Sequence, residues 1–135
     1  MSLLNINPTN TNSWKQLENH FSKMENNSIK EMFQNDEKRA EKFHIQWNDF
    51  LVDYSKNNIN QETIDLLLNL ANDVNLKDAI SKYFAGDLIN QTENRAVLHT
   101  ALRAKESAII NVDGINVMPE VYAVKNKVKS FTNEI

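Results

Sequence analysis

Only two glycines, Gly86 and Gly114, occur in this chain of 135 residues, and they stand far apart. Glycine is the residue a backbone normally uses to turn sharply or to approach a ligand closely, because it has no Cβ. With two isolated glycines, neither a G-x-G-x-x-G fingerprint nor a glycine-rich phosphate loop can be written. Turns and helix starts therefore fall to other residues. The chain is rich in asparagine, which caps helices and tolerates turn conformations.

Apolar spacing between those polar boundaries is mostly helical. Trp14, Leu17, Phe21 and Met24 form a predicted buried stripe behind a cap at Thr11 or Ser13, with Lys15, Glu18 and Lys23 left to solvent. Ser28 caps a short turn carrying Ile29, Met32 and Phe33, and Asn35 or Asp36 caps another short helix. Asn60 opens a helix with Ile64, Leu67, Leu68 and Ala71 on one face. Asn75 opens the next, with Leu76, Ala79, Ile80, Tyr83 and Phe84 inward and Gly86 as its stop. A helix is predicted from about Glu93 to Ala104, burying Val97, Leu98, Ala101 and Leu102. The last helix begins at Pro119, where proline suits a first turn, and lines up Val121, Val124, Val128 and Phe131.

Two segments break the helical period. Phe43, Ile45 and Trp47 alternate with His44 and Gln46, and Phe50–Tyr54 follows a possible turn at Asn48-Asp49. Ile109–Val112, Asp113-Gly114 and Ile115–Val117 read as a tight hairpin, since Asp-Gly between β-branched residues is a strong turn signal. The expected class is mainly α, with about six helices and two short β-hairpins. Residues 1–135 read as one segment with no internal domain boundary. The apolar period still running at the final residues predicts a chain cut inside or just after its last helix.

Several functions are disfavoured at this level. A net charge of −3 argues against a nucleic-acid partner. No apolar run reaches the roughly 18 residues a membrane span needs. The first residues lack the basic flank and apolar block of a secretory signal. Without cysteine there is no disulfide framework, thiolate nucleophile or cysteine zinc site. A soluble intracellular protein is the expectation.

Five groups of residues are candidates to carry chemistry. Arg95, His99 and Arg103 fall at i, i+4, i+8 and would stack along one helix face, where they could hold a phosphate or carboxylate. The preferred structural reading pairs them with carboxylates such as Glu93 or Asp87, or packs them against a neighbour. His20, His44 and His99 are too dispersed for a local metal motif. Asp53, Tyr54, Ser55 and Lys56 cluster at a strand end, but no base is evident for Ser55, and a polar strand exit is the better reading. Asp36, Glu37 and Glu41 sit among Lys38, Arg39 and Lys42, as in a solvated helix with local ion pairs. The aromatics Trp14, Phe43, Trp47 and Phe50 are read as packing residues rather than a stacking platform.

Four stretches carry a resemblance. Ile89-Asn-Gln-Thr-Glu-Asn-Arg-Ala-Val-Leu-His-Thr-Ala-Leu-Arg103 resembles the I-N-x-T-E-x-R-A-V-L-H-x-A-L-R signature of the glucose-6-phosphate isomerase family. Leu51-Val-Asp-Tyr-Ser-Lys-Asn57 is similar to that family's L-V-D-Y-S-K-N strand and turn. Val112-Asp-Gly-Ile-Asn-Val-Met-Pro-Glu-Val121 resembles its V-D-G-x-x-V-M-P-E-V hairpin-to-helix segment, and Lys129-Ser-Phe131 matches the K-S-F that follows. Order and spacing agree over essentially the whole chain.

The resemblance implies the N-terminal part of a longer α/β sandwich enzyme with two sugar-isomerase domains, working as a cytosolic dimer in glycolysis and gluconeogenesis. The family interconverts glucose 6-phosphate and fructose 6-phosphate through an enediol, with a histidine opening the ring and a glutamate moving the proton. No metal or organic cofactor is implied. Its glycine-rich segment, phosphate-binding serines and threonines, and catalytic groups all follow the region matched here. No residue of this chain is therefore assigned as catalytic, substrate-binding, cofactor-binding or metal-ligating. The partners implied are the rest of the isomerase chain and a second subunit, with sugar phosphate bound only by the whole enzyme and no nucleic acid or membrane. An autonomous helical interaction module is the alternative, and a sugar-phosphate site at Arg95, His99 and Arg103 is a third reading.

Overall fold

The structure, a computed structural model, describes residues 3–134. Expectations that rest on the first two residues, as part of a leader, or on Ile135 as a chain end lie outside the described residues. Ten regular elements follow in order: α1 (Asn12–Met24), α2 (Ile29–Asn35), α3 (Arg39–Lys42), β1 (His44–Trp47), β2 (Phe50–Asp53), α4 (Gln61–Asp73), α5 (Leu76–Ala85), β3 (Asn111–Val112), β4 (Ile115–Asn116) and α6 (Met118–Asn133). Short 3-10 turns occur at Pro8–Asn10 and Ala101–Arg103. The chain is thus mostly helical with two small antiparallel sheets. It divides into two compact units, one of Ile6–Val74 and one of Met1–Asn5 with Asn75–Ile135.

In the Ile6–Val74 unit, α1 packs on α4. Thr11 caps α1 by accepting the Trp14 N–H at 3.2 Å. Asn60 caps α4 in a full capping box: its Oδ1 accepts Thr63 N–H at 3.0 Å, while Thr63 Oγ1 accepts Asn60 N–H at 3.0 Å. Polar ties then set the rotation of α1. Ser13 N–H reaches Asp73 Oδ2 at 3.3 Å, His20 Nε2 meets Thr63 Oγ1 at 2.7 Å, and Asn60 Nδ2 approaches Met24 Sδ at 3.5 Å. The buried face of α1 is consequently Ser13, His20 and Met24. The expected stripe of Trp14, Leu17, Phe21 and Met24 is corrected accordingly: only Met24 is buried, and Phe21 is 63% exposed.

The β1–β2 hairpin pairs Ile45 with Val52 and Trp47 with Phe50. Cross-strand partners share a face, so these four form one apolar side, with the Trp47 and Phe50 rings stacked at 5.8 Å. The turn has no glycine. Asn48 supplies the left-handed residue, with φ of 49°. Phe43 and Tyr54 extend the pairing, Tyr54 N–H donating to Phe43 O at 3.0 Å with the two rings edge to face.

In the other unit, α5 ends at Gly86, whose φ of 81° is the left-handed stop its position predicts. Asn75 stands at the cap position of α5 but is itself left-handed and makes no side-chain cap bond. Asp113 and Gly114, with φ of 50° and 79°, turn the β3–β4 hairpin. Pro119 lies in the first turn of α6. Ala101 and Met118 are the buried apolar residues here.

The predicted helix over Glu93–Ala104 does not form. Asn90 and Arg95 exchange backbone hydrogen bonds of 3.0 and 3.2 Å across a tight loop. Asn90 Oδ1 also accepts from Thr92 Oγ1 at 2.9 Å and Glu93 N–H at 3.3 Å, and Asn94 is left-handed with φ of 48°. An asparagine side chain that satisfies these donors competes with helix initiation. Only the 3-10 turn Ala101–Arg103 remains of the expected helix.

Candidate functional site

Arg95, His99 and Arg103 do not form a stripe, because the segment carrying them is not helical. All three are exposed. Arg95 pairs with Glu93 at 2.5 Å, and Arg95 and His99 border a small cavity of about 260 Å³ that Arg103 does not reach. The end of the segment is held by α6: Tyr122 Oη donates to Ala104 O at 2.9 Å, and Lys125 Nζ to Leu102 O at 3.2 Å. Packing and ion pairing account for this segment better than an anion stripe does.

The three histidines stand apart. His44 Nδ1 meets Ala40 O at 2.9 Å. Among the described residues no three histidine, aspartate or glutamate side chains converge as a metal would require. His20 is only 4% exposed and sits between α1 and the first turn of α4. Its Nε2 contacts Thr63 Oγ1 at 2.7 Å, while its Nδ1 lies 3.4 Å from Glu62 Oε2 without meeting hydrogen-bond geometry. The order hydroxyl, imidazole, carboxylate resembles a nucleophilic triad. Thr63 Oγ1 is already committed to the Asn60 capping box, however, and the hydroxyl serves there as a helix tie.

Asp53, Ser55 and Lys56 form the expected polar strand exit. The Asp53 carboxyl is held below the usual carboxylate range, first by the Ser55 hydroxyl and then by the Ser55 N–H, 2.9 Å from Asp53 Oδ1. Ser55 is buried. Asp36 is likewise held low, chiefly by its hydrogen bonds to Lys42 Nζ at 2.8 and 2.9 Å. Both aspartates titrate lower in the folded protein than in the unfolded chain. Their contribution to stability is therefore present at neutral pH, starts to fall as the unfolded carboxyls protonate near 3.8, and is lost as pH falls through the lower folded values. Both lie at the surface, so the effect should be small. Asp53→Asn should flatten the acid limb of stability against pH, read from urea midpoints; an unchanged limb would remove Asp53 from the account.

Arg39 is the residue the sequence did not reveal. Expected on a solvated helix, it is 3% exposed. Its Nε donates to Ser55 O at 2.8 Å, and one terminal nitrogen, Nη2, donates to Asn57 O and Ile59 O, both at 2.9 Å. The guanidinium lies 4.6 Å from the Phe43 ring centre and 5.7 Å from that of Phe33. It thus draws the loop after β2 around itself. Beside it lies a cavity of about 330 Å³, bordered by Arg39, Asp36, Lys42, Asn60 and Gln61 among others. Phe43, four residues after Arg39, was the available hint of an aromatic neighbour.

Comparison with known proteins supplies the class. A family model described as phosphoglucose isomerase matches residues 53–135. The chain belongs to the phosphoglucose isomerase family. It is 60% identical over 131 residues to the glucose-6-phosphate isomerase of Christiangramia forsetii (strain DSM 17595 / CGMCC 1.15422 / KT0803), covering 97% of this chain and 24% of that protein. It is 48% identical over 132 residues to the glucose-6-phosphate isomerase of Wigglesworthia glossinidia brevipalpis, with the same two coverages. The chain therefore spans about a quarter of the length of these relatives.

Proposed function

We propose that residues 1–135 are the N-terminal helical segment of a glucose-6-phosphate isomerase, and that this segment supports the enzyme without carrying its catalytic groups. The parent would interconvert glucose 6-phosphate and fructose 6-phosphate by acid–base proton transfer through an enediol, as a cytosolic dimer without metal or organic cofactor. Its sugar-isomerase domains would be completed by the remainder of the chain, which would also supply the groups that bind the phosphate and move the proton.

One observation carries the supporting role: the apolar faces of this segment are mostly uncovered. Nineteen large apolar side chains are exposed among the described residues, while the buried apolar residues are Met24, Phe43, Ala101 and Met118. The exposed set includes the apolar side of the β1–β2 hairpin and Val124, Val128 and Phe131 on α6. The accessible surface is 10629 Å², against about 7,300 Å² for a folded monomer of this mass. Even two separate compact bodies of half the mass would expose about 8,700 Å². Surfaces of this kind fit burial against further protein. No helix among the described residues is long and apolar enough to cross a membrane.

A coupled isomerase assay tests the reading. Purified residues 1–135 should give no turnover, and the polypeptide extended to the length of its relatives should be active. Reproducible turnover by the short chain would overturn the supporting role. A monodisperse, cooperatively unfolding monomer would favour an autonomous interaction module instead.

A further inference from the structure

We propose that the cavity beside Arg39 is a binding site for a small oxyanion, inorganic phosphate being the simplest, separate from any site the isomerase reaction requires. Arg39 is a buried cation, and it makes no ion pair among the described residues. Its three hydrogen bonds use Nε and Nη2 and end on backbone carbonyls. The other terminal nitrogen, Nη1, makes no hydrogen bond among the described residues, so two N–H donors remain on a side chain that borders the cavity. The hydrogen bonds of this guanidinium end only on neutral carbonyls, and the negative charge of Asp36, which it also feels, is shared with Lys42, so a further anion beside it is favoured.

A second feature acts in the same direction. Asn60 and Gln61, at the N-terminus of the 13-residue α4, border the same cavity. The Gln61 backbone N–H is one of the donors that a helix start leaves without an intrahelical acceptor, and the helix dipole is positive there. The other charged groups bordering the cavity are Lys42 and Asp36, which pair with each other at 2.8 Å. Arg39, Lys42 and Asp36 together leave one net positive charge. The volume of about 330 Å³ admits a hydrated phosphate.

The site predicts opposite responses to two surface substitutions. Asp36→Asn removes the opposing charge and frees Lys42, so phosphate should bind about threefold tighter or more; Lys42→Met should weaken it about threefold, as expected for one charge acting over several ångströms near water. The readout is hydrogen–deuterium exchange of the peptide covering residues 55–62 in the full polypeptide, titrated with inorganic phosphate at constant ionic strength. This local readout separates the cavity from phosphate bound at a sugar-phosphate site elsewhere in the enzyme. Phosphate should slow exchange in that peptide, with half-saturation ordered Asp36→Asn, unsubstituted chain, Lys42→Met. No slowing by phosphate, or one half-saturation shared by all three proteins, would overturn the proposal. So would a crystal structure of the full enzyme in which a carboxylate of its own chain fills the place beside Arg39 Nη1.

Discussion

Arg39→Met should lower the stability of the Ile6–Val74 unit by about 3 kcal/mol, which corresponds to stranding one buried carbonyl and weakening two others. Methionine approximates the length and the apolar stem of arginine, so the loss falls on the polar head. Ser55 O is the costly acceptor, since its bond to Arg39 Nε is buried. Asn57 O and Ile59 O are half-buried and can recover part of their hydration. Loss of the guanidinium from the face of Phe43 adds a smaller term. Lysine should recover less than half of the deficit, because an ammonium cannot direct donors along the same three lines. Urea midpoints would measure the loss. Hydrogen exchange at residues 55–59 should rise most, and a midpoint shift below about 1 kcal/mol would show that water replaces the guanidinium freely.

Gly86→Ala should cost about 2–4 kcal/mol, from a left-handed conformation that an L side chain adopts at a cost of 1–2 and from a collision. At φ of 81°, a Cβ on residue 86 would sit 2.7 Å from the backbone oxygen of Asn111. That oxygen belongs to β3 and cannot rotate aside as a side chain can. Gly114→Ala is the matched control. Its φ of 79° is nearly the same, but a Cβ there meets nothing within 4 Å, so only the conformational cost of about 1–2 kcal/mol applies. Thermal unfolding of the two variants should rank them with Gly86→Ala clearly lower. Equal losses would mean that the approach to Asn111 is relaxed by backbone movement.

These two positions also show what could and could not be read from the chain. Gly86 as a helix stop, Asp113-Gly114 as a hairpin turn, Pro119 as a helix opener and Asn60 as a cap are local signals, and each sits where its chemistry places it. Arg39 is different. Its acceptors lie 16 to 20 residues away, and nothing in a linear pattern marks a backbone carbonyl as the partner of a cation. Helix faces were legible only as apolar. Leu67, Leu68, Leu76, Ile80 and Phe84 fall on the stripes the spacing predicts, yet all five are exposed. Periodicity tells which face avoids water, and it is silent on what covers that face. The Ile89–Arg103 stretch failed for a local reason: helix spacing outweighed the tendency of Asn90 to bind the next donors itself. Family membership was the most legible property of that stretch, since it rests on residue order rather than on conformation.

Left-handed backbone in this protein is carried at Asn48, Asn75, Asn94 and Asp113 as well as at its two glycines. Glycine would enter those four conformations without steric cost, but it would also leave the unfolded chain many more states to sample. Side chains at these turns narrow the denatured ensemble before any contact forms. The native turns hold some strain in return. Conformational freedom has been removed from the disordered side of the folding equilibrium at these four turns.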